Sequence, residues 1–376
     1  MSAARLGRGL LPRVIPLFIA ALFCVFLLHL RYDQSWRQDA RRVARPKFTE
    51  GVAKPASEEY TKTVVMARVK SEDVSWVYDE LDGFNHSIYT VDDEEAELRV
   101  PQNKGREAMA YLTYIIDHYD KLPDTVLFFH PHRSTWHNNV LLDLDSAKTI
   151  KRLNPARVAR DGYFNARCHH DPGCPNWLHV DRPESEWDMV KKKEEQYLTS
   201  ETWRQLHDSD PIPDALSQPC CAQFAVSGER IRARPLADYL RYRQWLLDTD
   251  MADEFSGRML EYNWQYIFTG KPEFCPPQHE CYCDGYGICF GGTTDENLQH
   301  WLHLLRQREL LDEQLRGLRR EDPGTRDQHR IAAAESEKSE IVRTLDTLKA
   351  EAYRRGEDPK NRALECGRLW KPGDGF

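Results

Sequence analysis

Apolar positions along the chain change their period several times, and each change marks an element. Val14 to Leu30 is an unbroken run of 17 residues without formal charge. At about 1.5 Å per residue, a helix of that length sits at the short end of what crosses hydrocarbon about 30 Å thick. The run predicts a membrane anchor, with a cleaved signal peptide as the rival reading. Residues 31–60 are polar, basic and then mixed, and read as a stem. Thr63 to Val69 reads as a buried strand, Asp73 to Asp82 as a helix, and Ser87 to Val91 as a second strand. After a turn over 101–105, Arg106 to Tyr119 places Ala108, Leu112, Ile115, Ile116 and Tyr119 at helical spacing. Leu122-Pro123-Asp124 ends that helix, and Thr125 to Phe129 is a third strand. This alternation predicts an α/β core with a mostly parallel or mixed sheet. Ligand sites in such sheets collect at the carboxyl ends of the strands.

The middle of the chain, 160–220, is rich in loops. Ala222 to Ile231 reads as a strand entering a helix, and helices follow over Pro235 to Leu247 and Ser256 to Phe268. Phe274 to Gly292 reads as a compact loop with four cysteines. Two charged amphipathic helices are predicted over 296–320 and 329–355. Four segments result: tail and anchor over 1–30, stem over 31–60, a cysteine-containing α/β domain over 61–292, and a charged helical extension over 293–376.

The net charge of −8 gives no support for a nucleic-acid surface. The ten cysteines change the picture more. Eight of them, Cys168, Cys174, Cys220, Cys221, Cys275, Cys281, Cys283 and Cys289, are grouped in a way that suits disulfides in an oxidising compartment. About 105 pairings are open to eight cysteines, and the spacing selects none. Adjacent Cys220 and Cys221 are expected to take different partners. One zinc ion held by Cys275, Cys281, Cys283 and Cys289 is the alternative, although Cys-x2-Cys pairs are missing. Asn85-His86-Ser87 is a glycosylation sequon. Arg5, Arg8 and Arg13 precede the apolar run, while Arg31, Arg37, Arg41, Arg42 and Lys47 follow it. Flanking charge alone therefore favours a cytoplasmic domain. The cysteines and the sequon favour the opposite: a single-pass type II protein whose domain lies in the lumen of the Golgi or endoplasmic reticulum, touching lipid through one span.

Four stretches carry candidate chemistry. The first directly follows the third strand and contains His130, His132, Arg133, Trp136 and His137. Imidazole carries protons or binds metal near neutral pH, Arg clamps phosphate, and Trp136 offers a ring to stack on a sugar or base. A loop held by histidine hydrogen bonds is the plainer reading. The second is Asp143 and Asp145, which suit a divalent ion, Mn2+ or Mg2+, neutralising a diphosphate, or else a helix cap near Ser146. The third, Asn103 to Glu107, opens the long helix and presents Lys104, Arg106 and backbone N–H groups to phosphate. Surface pairing of Arg106 and Glu107 is the alternative. The fourth is Glu261, set in an apolar, aromatic segment. It suits a general base toward a hydroxyl, or an ion pair with Arg258 three residues earlier.

Several of these stretches recur together. Asn103-Lys104-Gly105-Arg106-Glu107, Tyr111 to Ile116, Trp136-His137-Asn138, Gly173-Cys174-Pro175, Cys220 to Ser227, Arg230 to Pro235, Ser256-Gly257-Arg258 with Glu261, and Cys281-Tyr282-Cys283 resemble an uncharacterised family of fungal type II membrane proteins over about 63–292. More distantly, the layout is similar to nucleotide-sugar glycosyltransferases with an A-type fold. That resemblance implies a nucleotide-sugar donor and a glycan or glycoprotein acceptor. It places Gln223 and the Arg-rich helix after it beside the acceptor, and Glu261 with Trp264 near the catalytic base. Glu261, His130 and His132 are then the catalytic residues. Lys104, Arg106, Arg133, Trp136, His137, Gln223, Arg258 and Trp264 would contact substrate. The chain departs from the pattern where His130 and His132 stand in place of paired Asp. The alternatives are a metallohydrolase built on His130, His132 and His137, and a non-catalytic membrane-anchored scaffold.

Overall fold

The computed structural model describes residues 22–25, 46–186, 193–322 and 327–374. The chain divides into two compact units, 1–47 and 48–376. The second unit holds the sheets and the helices packed on them.

In chain order its strands and α-helices are β1 (Lys62–Arg68), α1 (Ser75–Glu80), β2 (Asn85–Thr90), α2 (Glu107–His118), β3 (Thr125–Phe129), α3 (Ser146–Arg152), α4 (Pro155–Asp161) and β4 (Tyr163–Asn165). Then come β5 (Leu178–His179), α5 (Ser200–His207), β6 (Ala215–Leu216), β7 (Phe224–Ser227), α6 (Gly228–Ala233) and α7 (Leu236–Asp248). The last are α8 (Asp253–Glu261), α9 (Trp264–Thr269), α10 (Gln278–Tyr286), α11 (Glu296–Arg320), α12 (Gln328–Gly356) and α13 (Pro359–Glu365). The five-stranded main sheet runs β2-β1-β3-β7-β4. β1 is parallel to β2 and β3, whereas β7 is antiparallel to both β3 and β4. The fold is thus mixed α/β, and the carboxyl ends of its three parallel strands open on one edge.

Side chains alternate across the pleat, so the sheet supports two cores. Val65, Val126, Phe128, Phe224 and Val226 join α2, α7, α8 and α9 on one face. Val64, Met66, Leu127, Phe129 and Ala225 face the other way, toward α1, α3 and α10. The α11–α12 hairpin feeds Leu298, Trp301, Leu345 and Ala352 into that second core. Its far end has a small cluster of its own, Leu311, Leu315, Leu318, Ile331 and Ala334.

The anchor expectation is corrected here. No helix among the described residues is long and apolar enough to cross a membrane. The two that have the length, α11 and α12, are laced with charge on their exposed sides. Of the run Val14 to Leu30, residues 22–25 are helical and the rest lies outside the described residues. The single-pass type II topology, the lipid partner and the Golgi or endoplasmic reticulum placement are set aside with it. Asn85 of the sequon is exposed at the start of β2.

The eight grouped cysteines form four disulfides: Cys168–Cys281, Cys174–Cys275, Cys220–Cys221 and Cys283–Cys289. This replaces the zinc alternative, since oxidised sulfurs offer no thiolate. It also corrects the expectation that Cys220 and Cys221 pair apart. The first two bonds close loops of 113 and 101 residues, each restricting the unfolded chain by about 4–5 kcal/mol in the chain-entropy view. They tie the loop-rich middle to the region around α10.

A buried charge cluster ties the C-terminal segment down. Asp284 on α10 is fully buried and accepts hydrogen bonds from Arg157 (2.8 Å), Arg160 (2.8 Å) and Arg368 (2.7 Å). Those guanidinium groups outweigh the burial and hold its carboxyl below the usual carboxylate range.

Candidate active site

At the carboxyl edge of the parallel strands lies an open cleft of about 800 Å³. Ala67, Arg68 and Val69 at the end of β1, Val91 after β2, and His130 to His132 with Ser134 to His137 after β3 supply its walls. Asn103, Arg106, Glu107 and Asp253 close the remaining side.

The 103–107 loop owes its shape to α8. Gly105 has φ +74°, its N–H donates to Asp253 Oδ1 at 2.6 Å, and the Lys104 ammonium donates to the carbonyl of Thr249. Arg106 follows with φ +51°, a region where side chains with a Cβ are uncommon. Gly257 on α8 faces this loop. A Cβ there would stand 3.0 Å from the Gly105 carbonyl oxygen and 3.3 Å from Arg106 Cβ. Gly257→Ala is therefore expected to cost roughly 1–3 kcal/mol through overpacking, read as a lower denaturant midpoint with unchanged slope.

The loop delivers Glu107 to the first turn of α2, at the foot of the cleft. Burial, with Glu261 and Asp253 nearby, pushes the Glu107 carboxyl up to about 7. Glu261 at the end of α8 is also raised, chiefly by burial, although its Oε1 accepts the Cys221 N–H at 2.8 Å. Its backbone carbonyl takes the Gln218 carboxamide at 2.6 Å. Beneath the two carboxyls lies Tyr111, one turn after Glu107, whose buried hydroxyl is without a partner. Two half-buried carboxyl groups thus stand in one neighbourhood, and burial with the negative charge of Glu261 favours the protonated form of Glu107 near neutral pH.

Across the cleft, burial and the neighbouring His137, His132 and Arg106 lower His130 to about 3, so its ring stays neutral. Its Nε2 is buried without a partner, and its ring meets His137 edge-on at 5.0 Å. Gln223, buried below, accepts the His130 N–H at 3.2 Å and donates to Asn138 at 2.8 Å. His132 Nε2 lies 3.1 Å from Glu72. Trp136 is 66 % exposed at the rim, with the Arg167 guanidinium 5.4 Å from its ring centre.

Other expected site residues stand elsewhere. Lys104 is engaged with Thr249, as above. Arg133 pairs with Glu80 at 2.9 Å and with Asp145. Asp145 also caps α3 through the Lys148 N–H, and the Asp143 carboxylate is taken by Lys148 and Lys349, each at 2.5 Å. With cations on both carboxylates, this pair does not fit the Mn2+ or Mg2+ role. Arg258 pairs with Glu194 and Glu254 rather than with Glu261. Trp264 is fully buried in the aromatic core against Phe224 and Phe268. Nor do His130, His132 and His137 converge as metal ligands. Among the described residues, Cys283, Cys289 and Glu365 are the group whose donor atoms lie within 4.8 Å of one another. Two of those are the sulfurs of a disulfide, and Glu365 is paired with Arg355 at 2.5 Å.

The sequence alone offers no reading of Glu72, places Asp253 only in an acidic cluster with Asp248 and Asp250, and gives Glu107 no role beyond a surface pair. The missed signal was the position of Glu107, first in a helix that is otherwise apolar over Ala108 to Leu112.

No curated protein and no solved structure matches the chain. The tie to fungal type II membrane proteins and to glycosyltransferases is corrected accordingly, because nothing in these comparisons carries it. One family does match, over residues 64–284, more than half of the chain and including every wall of the cleft. The chain belongs to the family described as protein of unknown function (DUF3431).

Proposed function

We propose that the cleft moves a sugar from a nucleotide-sugar donor to a hydroxyl acceptor. The observation that carries this reading is Glu107, a carboxyl at the foot of a polar cleft whose proton affinity burial and nearby Glu261 raise toward neutral pH. A general base works best when its proton affinity lies near the working pH. The pair takes the acceptor's hydroxyl proton as the new carbon–oxygen bond forms. The bond from the sugar to the diphosphate breaks, and negative charge grows on the leaving oxygen. Arg68 and Arg106 line the cleft and oppose that charge. Neutral His130 serves as a hydrogen-bonding group in this scheme rather than as a proton carrier.

The test is a thermal-shift and hydrolysis screen of the full chain against uridine-, guanosine- and adenosine-diphosphate sugars, with and without Mn2+ or Mg2+. Saturable stabilisation by one donor is expected, weakened at least about tenfold by Arg106→Gln, in line with loss of a charge-assisted contact. A chain that binds and cleaves none of them overturns the proposal.

A further inference from the structure

Cys220 and Cys221 are joined across a single peptide bond, just before the chain enters β7. The geometry places this small ring between the two halves of the site. On one side the Cys221 N–H donates to Glu261 Oε1 at 2.8 Å. On the other, two residues on, Gln223 holds the backbone of His130. The ring also keeps the chain in an uncommon shape: Cys221 has φ +86° and Ala222 φ +48°, both in the left-handed region that residues with a Cβ seldom occupy.

We propose that the Cys220–Cys221 disulfide is a redox latch on the carboxylate pair: oxidised, it holds the Cys221 amide on Glu261, and reduced, it lets the amide go. The latch rests on the reading of Glu107 and Glu261 as the base. Its reductant is a dithiol. One thiolate attacks a cysteine sulfur, the sulfur–sulfur bond breaks, and the second thiol displaces the mixed disulfide. Two electrons and two protons pass to the protein, leaving two cysteine thiols and an oxidised dithiol. With the ring open, residues 221–222 relax toward extended backbone, and Glu261 loses the donor that favours its charged form.

Two observations single this bond out. Closing a loop of adjacent residues restricts the unfolded chain far less than closing loops of 113 and 101 residues, so it is the least protected by chain entropy. The other short-range bond, Cys283–Cys289, has both sulfur-bearing residues buried, at 1 % and 0 % exposure, whereas Cys221 is half-buried and reachable.

The experiment uses the full chain, reduced stepwise with dithiothreitol. Thiols are mapped by alkylation and mass spectrometry, and the Glu carboxyls are titrated by carbon-13 NMR. Cys220 and Cys221 are expected to alkylate before the other six. The pair's titration is expected to move upward by at least roughly 0.5 pH on reduction, as a hydrogen bond to the charged form is lost. The C220S/C221S variant should show the moved titration with or without dithiothreitol, and C174S/C275S should keep the redox response. An unmoved titration on reduction of the wild-type chain, or earlier opening of another disulfide, overturns the latch. In a chain that does transfer sugar, equal transfer rates in both redox states overturn it as well. A redox-dependent titration in a chain that binds no nucleotide sugar upholds the latch and removes the transferase reading alone.

Discussion

Glu107→Gln is expected to lower sugar transfer by about 100- to 10,000-fold, the usual span for a lost general base, while making the folded chain more stable near neutral pH. The two effects have one cause. The Glu107 carboxyl is raised from 4.5 to about 7, so the folded state binds more protons than the unfolded state across that window. Its contribution to stability is fully present below about 4.5 and is lost as pH rises through 7. Gln carries no such proton. The difference in unfolding free energy between wild type and Glu107→Gln should therefore slope downward with pH over that window, by up to roughly 2–3 kcal/mol in all. Urea titrations at several pH values measure it. A flat difference places Glu107 in an ordinary solvated setting and removes the argument for the pair. Glu261→Gln should give a comparable loss of transfer, and the double variant should add little to either, because the two carboxyls act as a unit.

Asp284→Ala is expected to cost roughly 3–5 kcal/mol, a larger loss of stability than Gly257→Ala brings. The cost is not the value of three ion pairs. It is the penalty of leaving Arg157, Arg160 and Arg368 crowded together without the buried carboxylate they share. Asp284→Asn should recover little, since the amide keeps the volume and loses the charge. Because the folded carboxyl is held below 3.8, its contribution is present above that value and disappears as pH falls through the lower folded one. The gap between wild type and Asp284→Ala should thus narrow in acid. Denaturant midpoints read the effect, and a loss below about 1 kcal/mol would show that the cluster is solvated and weak.

How far the sequence reveals this molecule depends on the range of the interactions involved. Period-two and helical spacing place β1, β2, β3, α2, α7 and both long helices within a few residues, because each buries its own stripe. The helix expected over Ser256 to Phe268 is instead two, broken at Tyr262 and Asn263, where the Asn263 side chain turns back to the Met259 carbonyl at 2.6 Å. The Phe274 to Gly292 loop contains α10, whose apolar pattern is masked by cysteines that pack as small hydrophobes. In the site, His130, His132, Trp136, His137, Arg106 and Glu261 were legible as unusual residues at a strand end, a helix start or an apolar segment. Their partners were not. Asp143 and Asp145 looked like a metal pair until the fold brought Lys349 from 206 residues away. Arg258 looked like the mate of Glu261 until Glu194 arrived from a distant segment. Local pattern names the groups that need partners, and only the tertiary fold decides which they take.

The cooperative body of this protein reaches past the segment that defines its family. The family match closes at residue 284, yet Leu298, Trp301, Leu345 and Ala352 lie beyond it and seal the underside of the sheet. Arg368 reaches back still further, to Asp284. The segment that matches the family is therefore shorter than the packed unit. In this chain the hairpin works as a structural lid on the sheet that supports the cleft, so a substitution in the extension is felt as stability by residues that never touch it.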